Sequence, residues 1–594
     1  MNGWRRASRH TRVGVGLMLA LGAGSCSNPS PLGDQADRDL RRLVIDAAAR
    51  EVAEAGREDK AVVLSRESGV EGLRLWPGIL EELDKSSGPR SYEGAKADFG
   101  VNLLGTKAET VAISLEHAIK ASVEHNIAVR FARIGPGIGE AQVVAAEAAF
   151  DWTFTANFSA TRTDSPRVAT SFSSNTQGVP STTEQTGLTT SVGLRRNLVG
   201  GGRLTLQHGL DYTDDSTTFQ TSRPNPANLL SFTVQYDQPL LRGLGSEVSL
   251  ADVRVARNAE RNSVQTLRRD LGQVVSDVER TYWQLTLAHK DLLILQRLLE
   301  RGERVRDQLI AREGESTTAQ LADARAKVER RKADIIRAQT QLRIVSDRLK
   351  QLINDPAVPV GSEIILAPTD RPVDEPVRFS LPDSVLAAVQ FRPEVQQAVL
   401  AIDDSSIRAI VAENARLPDL SLRLQAKLSS LDDTTYDAYG QSIEGRFFDA
   451  LFALVFEMPI GNRKAEGDYR RRVLERMQSV IAYRNTVQQV TQEVKSALDR
   501  LVLNYKLIEQ TRTSRIAAAE VLRVLLIEKE NAPNITPERL DLEFSRQEAL
   551  AQAEREESQA LAEYNSALTD LYAAMGTNLE RNRINFVVPT ADER

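Results

Sequence analysis

Hydrophobic and polar positions alternate with two different periods along this chain, and the two follow one another in the same order twice. Leu230, Phe232, Val234 and Tyr236 take one face of a period-two run, with Ser231, Thr233, Gln235 and Asp237 on the other, and Pro239 closes it. A charged heptad pattern then runs from about Ser246 to Leu309, a polar turn covers Arg312 to Thr318, and a returning helix reaches Ile353. From Phe447 the order recurs: an alternating strand, Pro459, a long heptad run, a turn near Asn531 to Pro537, and a return helix ending at Gly576. Steps of three and four carry the heptads through Val264, Leu267, Leu271, Val274 and Val278, and again through Leu285, Ala288, Leu292, Leu295 and Leu299. Val494, Ala497, Leu501, Asn504 and Ile508 do the same in the second half. A helix of about 60 residues extends roughly 90 Å, far beyond the mean of globular domains. The pattern predicts two copies of strand, very long helix and return helix.

Each copy has a further strand upstream. Trp152, Phe154, Ala156, Phe158 and Ala160 alternate with polar residues, as do Leu420, Leu422, Leu424, Ala426 and Leu428. Arg423 and Lys427 on one face and aliphatics on the other suit a strand between lipid and water; barrel strands need ~9–11 residues, apolar outward. One sheet of a soluble sandwich also alternates. The Ser/Thr/Asp/Gly-rich stretches Thr163 to Thr186 and Ser429 to Gln441 read as surface loops. Beyond the first, Leu188, Thr190, Val192 and Leu194, then Leu204, Leu206, His208, Leu210 and Tyr212, form an additional hairpin across Gly200-Gly201-Gly202. Helical stretches precede the strands at Ile127 to Phe150 and Val395 to Arg416. Gly135-Pro136-Gly137 is expected to break the first.

The N-terminus reads as a secretory signal over residues 1–25: Arg5, Arg6, Arg9 and Arg12 lead a short apolar run, Val13 to Gly24. It ends Ala23-Gly24-Ser25-Cys26, which resembles a bacterial lipobox and implies acylation of Cys26, the only cysteine, with a palmitate-type anchor. Ala23 departs from the larger aliphatic residue usual there, and plain signal cleavage beside an incidental cysteine is the alternative. A solitary cysteine forms no internal disulfide. Ser27 follows, so the lipoprotein resemblance implies the outer membrane. Residues 26–110 form an extension with a Pro/Ser/Gly tether, helical spacing over Asp39 to Ala55 and a turn at Trp76-Pro77-Gly78. Its residues leave open whether it wraps the main body or reaches toward the membrane.

Composition narrows the function classes. A net charge of −6 gives no basic field for nucleic acid. No run after residue 25 approaches the ~18 apolar residues of a membrane helix. The five histidines are scattered, and His117 and His125 have no Cys or acidic cluster beside them. Gly200-Gly201-Gly202 does not join a strand to a helix as a phosphate-binding loop does, and no G-x-S-x-G elbow is present. No catalytic residue, cofactor or metal site is expected.

The junctions Tyr236-Asp237-Gln238-Pro239-Leu240 and Phe456-Glu457-Met458-Pro459-Ile460 share one position in the doubled pattern, as do Asn354-Asp355-Pro356 and Ala574-Met575-Gly576 at the return-helix ends. Leu321-Ala322-Asp323-Ala324-Arg325 and Phe544-Ser545-Arg546-Gln547, with Leu550 and Ala553, lie on the return helices. In this doubled order, over Val111 to Gly576, the chain resembles the TolC family, the outer-membrane efflux proteins of Gram-negative bacteria. The resemblance implies a mixed α/β membrane fold: a homotrimeric transmembrane β-barrel continued by a periplasmic α-helical coiled-coil barrel. It divides the chain into repeats at 111–355 and 383–580, a connector at 356–382 and a tail at 581–594. It implies a passive export conduit of a tripartite efflux or type I secretion system, docked to a periplasmic adaptor protein and an inner-membrane pump. The family has four strands per subunit, so the additional hairpin makes six or lies outside the wall. The family's paired aperture aspartates fall on Leu542 and Ser545 here, so that carry-over fails; Asp541 and Glu543 beside them are the aperture candidates, with a solvated helix start as the alternative. Gly314, Ser316, Asn534 and Thr536, at the two helical turns, are the adaptor-contact candidates. The competing classes are a periplasmic adaptor, which needs one helical hairpin between soluble β domains, and a structural coiled-coil lipoprotein, which needs no amphipathic strands.

Overall fold

Steps of three and four close a continuous apolar stripe only on a helix, and the longest elements follow them. In a computed structural model of the chain, residues 62–63, 69–92, 94–95, 97–167, 181–215, 224–311, 317–531 and 536–584 are described. In chain order the elements are β1 (Val62–Val63), α1 (Pro77–Ser87), β2 (Thr110–Ile113), α2 (Leu115–His125), α3 (Ile127–Ala132) and α4 (Ile134–Glu147). The strands β3 (Thr153–Arg167), β4 (Ser181–Asn197), β5 (Arg203–Asp215) and β6 (Ala227–Pro239) lead into α5 (Ala251–Ile310) and its return α6 (Thr318–Ile353). The connector holds β7 (Ile365–Pro368) and β8 (Arg378–Phe379), followed by α7 (Leu381–Phe391) and α8 (Pro393–Asn414). Then come β9 (Asp419–Asp432), α9 (Thr435–Ile443), β10 (Phe447–Glu457), α10 (Arg463–Glu530) and α11 (Pro537–Met575). Strand, long helix and return helix thus occur in that order twice.

The helix ends obey local chemistry. Thr317 and Gln320 form a reciprocal capping box at the start of α6, and left-handed Asn354 ends it. Gly576, at φ 72°, ends α11, with its N–H and that of Thr577 returning to Ala573 and Tyr572. Leu267, Leu271, Val278, Leu285 and Leu292 are buried in the stripe of α5, as are Val494, Ala497, Leu501 and Ile508 on α10. The largest cluster joins α5 and α6 to α2, β2 and β7 through Val275, Tyr282, Leu342, Leu349, Ile119 and Leu366. A fully buried aliphatic side chain there contributes roughly 1.5–3 kcal/mol.

Four local expectations are corrected. The break in the helix before β3 falls at Arg133, between α3 and α4, and α4 runs through Gly135-Pro136-Gly137. Pro136 sits in the first turn, where its missing N–H has no helical partner to lose. The stretch Thr163 to Thr186 is not all loop: β3 continues to Arg167 and β4 begins at Ser181, because its threonines are strand formers as well as polar residues. Likewise β9 continues to Asp432, and α9 follows from an N-cap at Thr434, whose hydroxyl accepts from the Asp437 N–H. Trp76-Pro77-Gly78 opens α1, with Pro77 at its first position.

The six long strands form one sheet in the order β10-β9-β6-β5-β4-β3, every pair antiparallel. The additional hairpin therefore lies within the sheet. The described part of the extension packs along the helices. From residue 69 to residue 101 it meets α10 at Thr513, packs Leu83 of α1 among Ile516, Ala519, Leu522 and Leu550, and then crosses α5. There Tyr92 lies under Arg297, 3.8 Å from the guanidinium carbon. It reaches α6 where Gln339 and Arg343 donate to the carbonyls of Asp98 and Phe99.

Candidate functional site

The sheet separates its residues by polarity rung by rung. Ala156, Val192, His208, Phe232, Leu428 and Phe448 are mutual neighbours across the six strands, and so are Phe154, Leu194, Leu206, Val234, Ala426 and Ala450. The rung between them, on the other face, reads Thr155, Gly193, Gln207, Thr233, Lys427 and Asp449. On that polar face Arg423 pairs with Asp237 at 2.7 Å. The strands run 11 to 17 residues, enough to cross a hydrocarbon core. Among the described residues, no helix is long and apolar enough to cross a membrane.

Among the described residues, both edges of the sheet are free, and each adjoins a helix with an unpartnered apolar stripe. The β3 edge exposes Phe154 and Phe158 and is preceded by α3 and α4, where Ile127, Phe131, Ile134 and Ile138 are exposed at steps of four, three and four. The β10 edge exposes Phe448, Phe452 and Phe456 and feeds α10, where Leu474, Met477 and Ile481 are exposed at steps of three and four. Between these margins the chain closes on itself through α4 against α5, α5 against α8 and α8 against α10.

The additional hairpin is built into the junction below the sheet. Its turn, Asn197 to Gly202, receives the Gly245 N–H on the Gly200 carbonyl at 3.2 Å, and the Ser249 hydroxyl donates to the Val199 carbonyl. Arg196 and Asn197 donate to the carbonyls of Phe150 and Ala149. Gly201 has φ +88°, and a Cβ there would lie 2.1 Å from the Gly243 carbonyl oxygen, so only glycine fits.

At the opposite end of the long helices, Thr536 is the exposed N-cap of α11 and makes no side-chain cap bond. Gly314, Ser316 and Asn534 lie outside the described residues, as do Cys26, the signal segment and Asp39 to Ala55. Asp541 keeps an exposed carboxylate and pairs with Lys327 of α6. Burial pulls the Lys327 ammonium down, but hydrogen bonds to Asp541 and Asp323 outweigh it and hold its pKa above the usual value. Glu543 instead turns into the packing: it is buried, 2.7 Å from Lys529 of α10, and accepts from Gln547. Next to it Arg331 of α6, also buried, donates to the Leu298 carbonyl at 2.8 Å and to Gln547 at 3.0 Å. Its burial pushes the guanidinium pKa down to about 10. Gly302 leaves the room that this guanidinium fills.

Sequence reasoning missed a third group, which fastens the extension. Arg515 of α10 is buried, with Glu557 of α11 at 2.5 Å, Asp84 of α1 at 2.7 Å and the Ser87 hydroxyl at 3.2 Å. One helical turn away Arg512 pairs with Asp374 of the connector and with Glu557. The Tyr92 hydroxyl donates to Glu554 at 2.7 Å. Burial raises the Glu554 pKa, against the opposing hydrogen bond from Tyr92 and the nearby arginines. The alternation of charge along α10 gave no signal, because solvated helices carry the same pattern.

No family model and no curated relative matches the chain. Solved structures do. The CusC channel superposes with a TM-score of 0.55 at 16% identity, covering 81% of this chain and 96% of its own. The CmeC outer-membrane channel of Campylobacter jejuni gives 0.55 at 15% identity, covering 81% and 92%. The open state of the Neisseria gonorrhoeae MtrE outer-membrane channel gives 0.52 at 18%, covering 78% and 89%. These neighbours are channel proteins rather than enzymes. The chain thus has the fold of the outer-membrane channels of the TolC family.

Proposed function

We propose that the protein is the outer-membrane conduit of a tripartite export system, a homotrimer held in the membrane by a closed barrel and anchored through an acylated Cys26. The observation that carries this reading is the pair of complementary margins. A head-to-tail ring would set β3 of one copy antiparallel to β10 of the next and cover the stripe of α3 and α4 with that of α10. Free strand edges and exposed heptad seams on both sides of one chain are costly unless a neighbour fills them. With six strands from each of three copies, the barrel has eighteen. Barrel diameter grows roughly linearly with strand number, so it is about 1.5 times as wide as a twelve-stranded one. The apolar rungs face lipid and the Thr, Gln, Arg and Lys rungs keep the lumen wet.

Transport through it is passive: no bond chemistry is involved, and the driving force comes from an inner-membrane pump reached through a periplasmic adaptor. The adaptor docks at the helical turns, with Thr536, Gly314, Ser316 and Asn534 as its contacts. Asp541, exposed on the first turns of α11, supplies the acidic ring of the closed aperture, while Glu543 holds the hairpin together. A docked adaptor opens the tip by binding the open state more tightly. Single-channel conductance of the detergent-extracted protein in a planar bilayer, read beside its oligomeric mass, tests the proposal. Discrete conductance from a trimer is expected. A non-conducting protein that needs no detergent would overturn it in favour of an adaptor or spacer.

A further inference from the structure

The connection from β9 to β10 does not stand away from the sheet; it folds back as α9 onto the apolar face. Five hydrogen bonds fix it there. Ser430 donates to the Ala438 carbonyl at 2.6 Å, Asn228 donates to the Asp433 carbonyl at 2.8 Å, and the Thr435 hydroxyl donates to Asn228 at 3.0 Å. His208 Nε2 meets the Tyr439 hydroxyl at 2.8 Å, and Gln441 donates to Asp432. Ala438 and Leu230 are fully covered between helix and sheet, and the His208 ring stacks on Phe232 at 4.4 Å. His208 is the one histidine in the apolar rungs, and its contact with Tyr439 satisfies a group that would be costly against lipid.

The rest of α9 has three sides. Ala438 and Ser442 face the strands. Asp437 and Gln441 lie on the flank toward Asp432, at the rim. Tyr436 and Ile443 point outward, each 86% exposed, and Tyr439 between them turns its hydroxyl to His208 while leaving part of its ring exposed. α9 lies toward the Ala227 end of β6, away from Pro239 and the long helices. If those helices are periplasmic, this is the outer-leaflet end of the wall.

We propose that α9 is a lipid anchor on the outside of the barrel: Tyr436 and Ile443 insert at the level of the outer-leaflet headgroups and upper acyl chains, beside the partly exposed ring of Tyr439. The site rests on the membrane reading above and deepens it, and the apolar face on which α9 lies is the one that reading assigns to lipid. Tyrosines with an apolar ring and a polar tip are the side chains that settle at such a boundary. A short helix with one apolar stripe, one polar flank toward water and one face on protein lies in the interface plane.

An environment-sensitive fluorophore on Ile443→Cys, in a Cys26→Ser background so that one thiol is labelled, tests this in proteoliposomes. Quenching by shallow doxyl-labelled lipid is compared with quenching by aqueous iodide. Phe452→Cys on the apolar face and Thr155→Cys on the polar face serve as references. The expected result is strong lipid quenching at 443, with iodide quenching several-fold weaker than at 155 and similar to that at 452. Lipid quenching at 452 with free iodide access at 443 would overturn the anchor and leave the barrel standing. Shielding of 443 from both quenchers would place protein over α9 and overturn it equally. Free iodide access at 452 would sink the membrane reading, and the anchor with it.

Discussion

Single residues carry the sharpest consequences where a backbone or a buried charge has no alternative. At Gly201 both a left-handed φ and a 2.1 Å approach to the Gly243 oxygen oppose any side chain. Gly201→Ala should cost at least about 1–3 kcal/mol and lower the thermal melting temperature of the detergent-extracted protein, whereas Gly200→Ala, with open space around it, should not. Arg515→Met leaves Glu557 buried with only Arg512 beside it. Removing one partner of such a pair costs about 3–5 kcal/mol; the double variant Arg515→Met/Glu557→Leu should recover most of the loss in thermal melts. Glu554 supplies a pH dependence. Burial raises its pKa above 4.5, so the folded chain binds this proton more tightly than the unfolded one. Its contribution to stability is fully present below 4.5 and is lost as pH rises through the raised value. Glu554→Gln, which keeps an oxygen to accept from Tyr92, should match the wild type near about pH 4 and melt higher near about pH 8.

At the scale of elements, legibility depended on whether a residue's reason for being there lies within its own window. Steps of three and four state the helix before any partner is known, so α5, α6, α10 and α11 could be drawn within a few residues from the sequence. The extension could not. Leu83 and Tyr92 are explained by distant partners, among them Leu550 and Glu554 more than 450 residues along the chain, and no local period announces such contacts. α9 escaped for a related cause: Tyr436, Ala438 and Ser442 span barely two turns, too short for a periodic signal, and their composition is that of a loop. The tip stayed only partly legible, since Asp541 and Glu543 look alike in sequence and only packing sends one outward and the other inward. Two element-level outcomes follow. Leu83→Ala should weaken the docking of α1 by about 2–5 kcal/mol, seen as faster limited proteolysis within residues 69–92 while cleavage elsewhere stays unchanged. Deleting residues 181–215 removes β4 and β5 and lets β3 pair with β6, antiparallel as before. Class averages of the deleted trimer should then show a barrel about two-thirds as wide.

The whole molecule has a consequence in time. On the export reading proposed above, residues 69–92 leave the ribosome and cross the inner membrane early, yet the seat of α1 and of the Tyr92 hydroxyl lies on the second hairpin, at Arg515, Ile516, Leu522, Leu550 and Glu554. On that reading α1 finds its seat only after nearly the entire chain has been exported, although residues 97–101 already have theirs on α5 and α6. Maturation therefore has an enforced order: the helical hairpins assemble first, and the N-terminal strap closes over them last. Until then, a surface holding Ile516, Leu522 and Leu550 would stand open to periplasmic chaperones and proteases on that reading, and strap closure would work as a completion signal that a chain truncated before this hairpin can never give. Pulse-labelled cells should show residues 69–92 gaining protease resistance only after the last hundred residues have been exported.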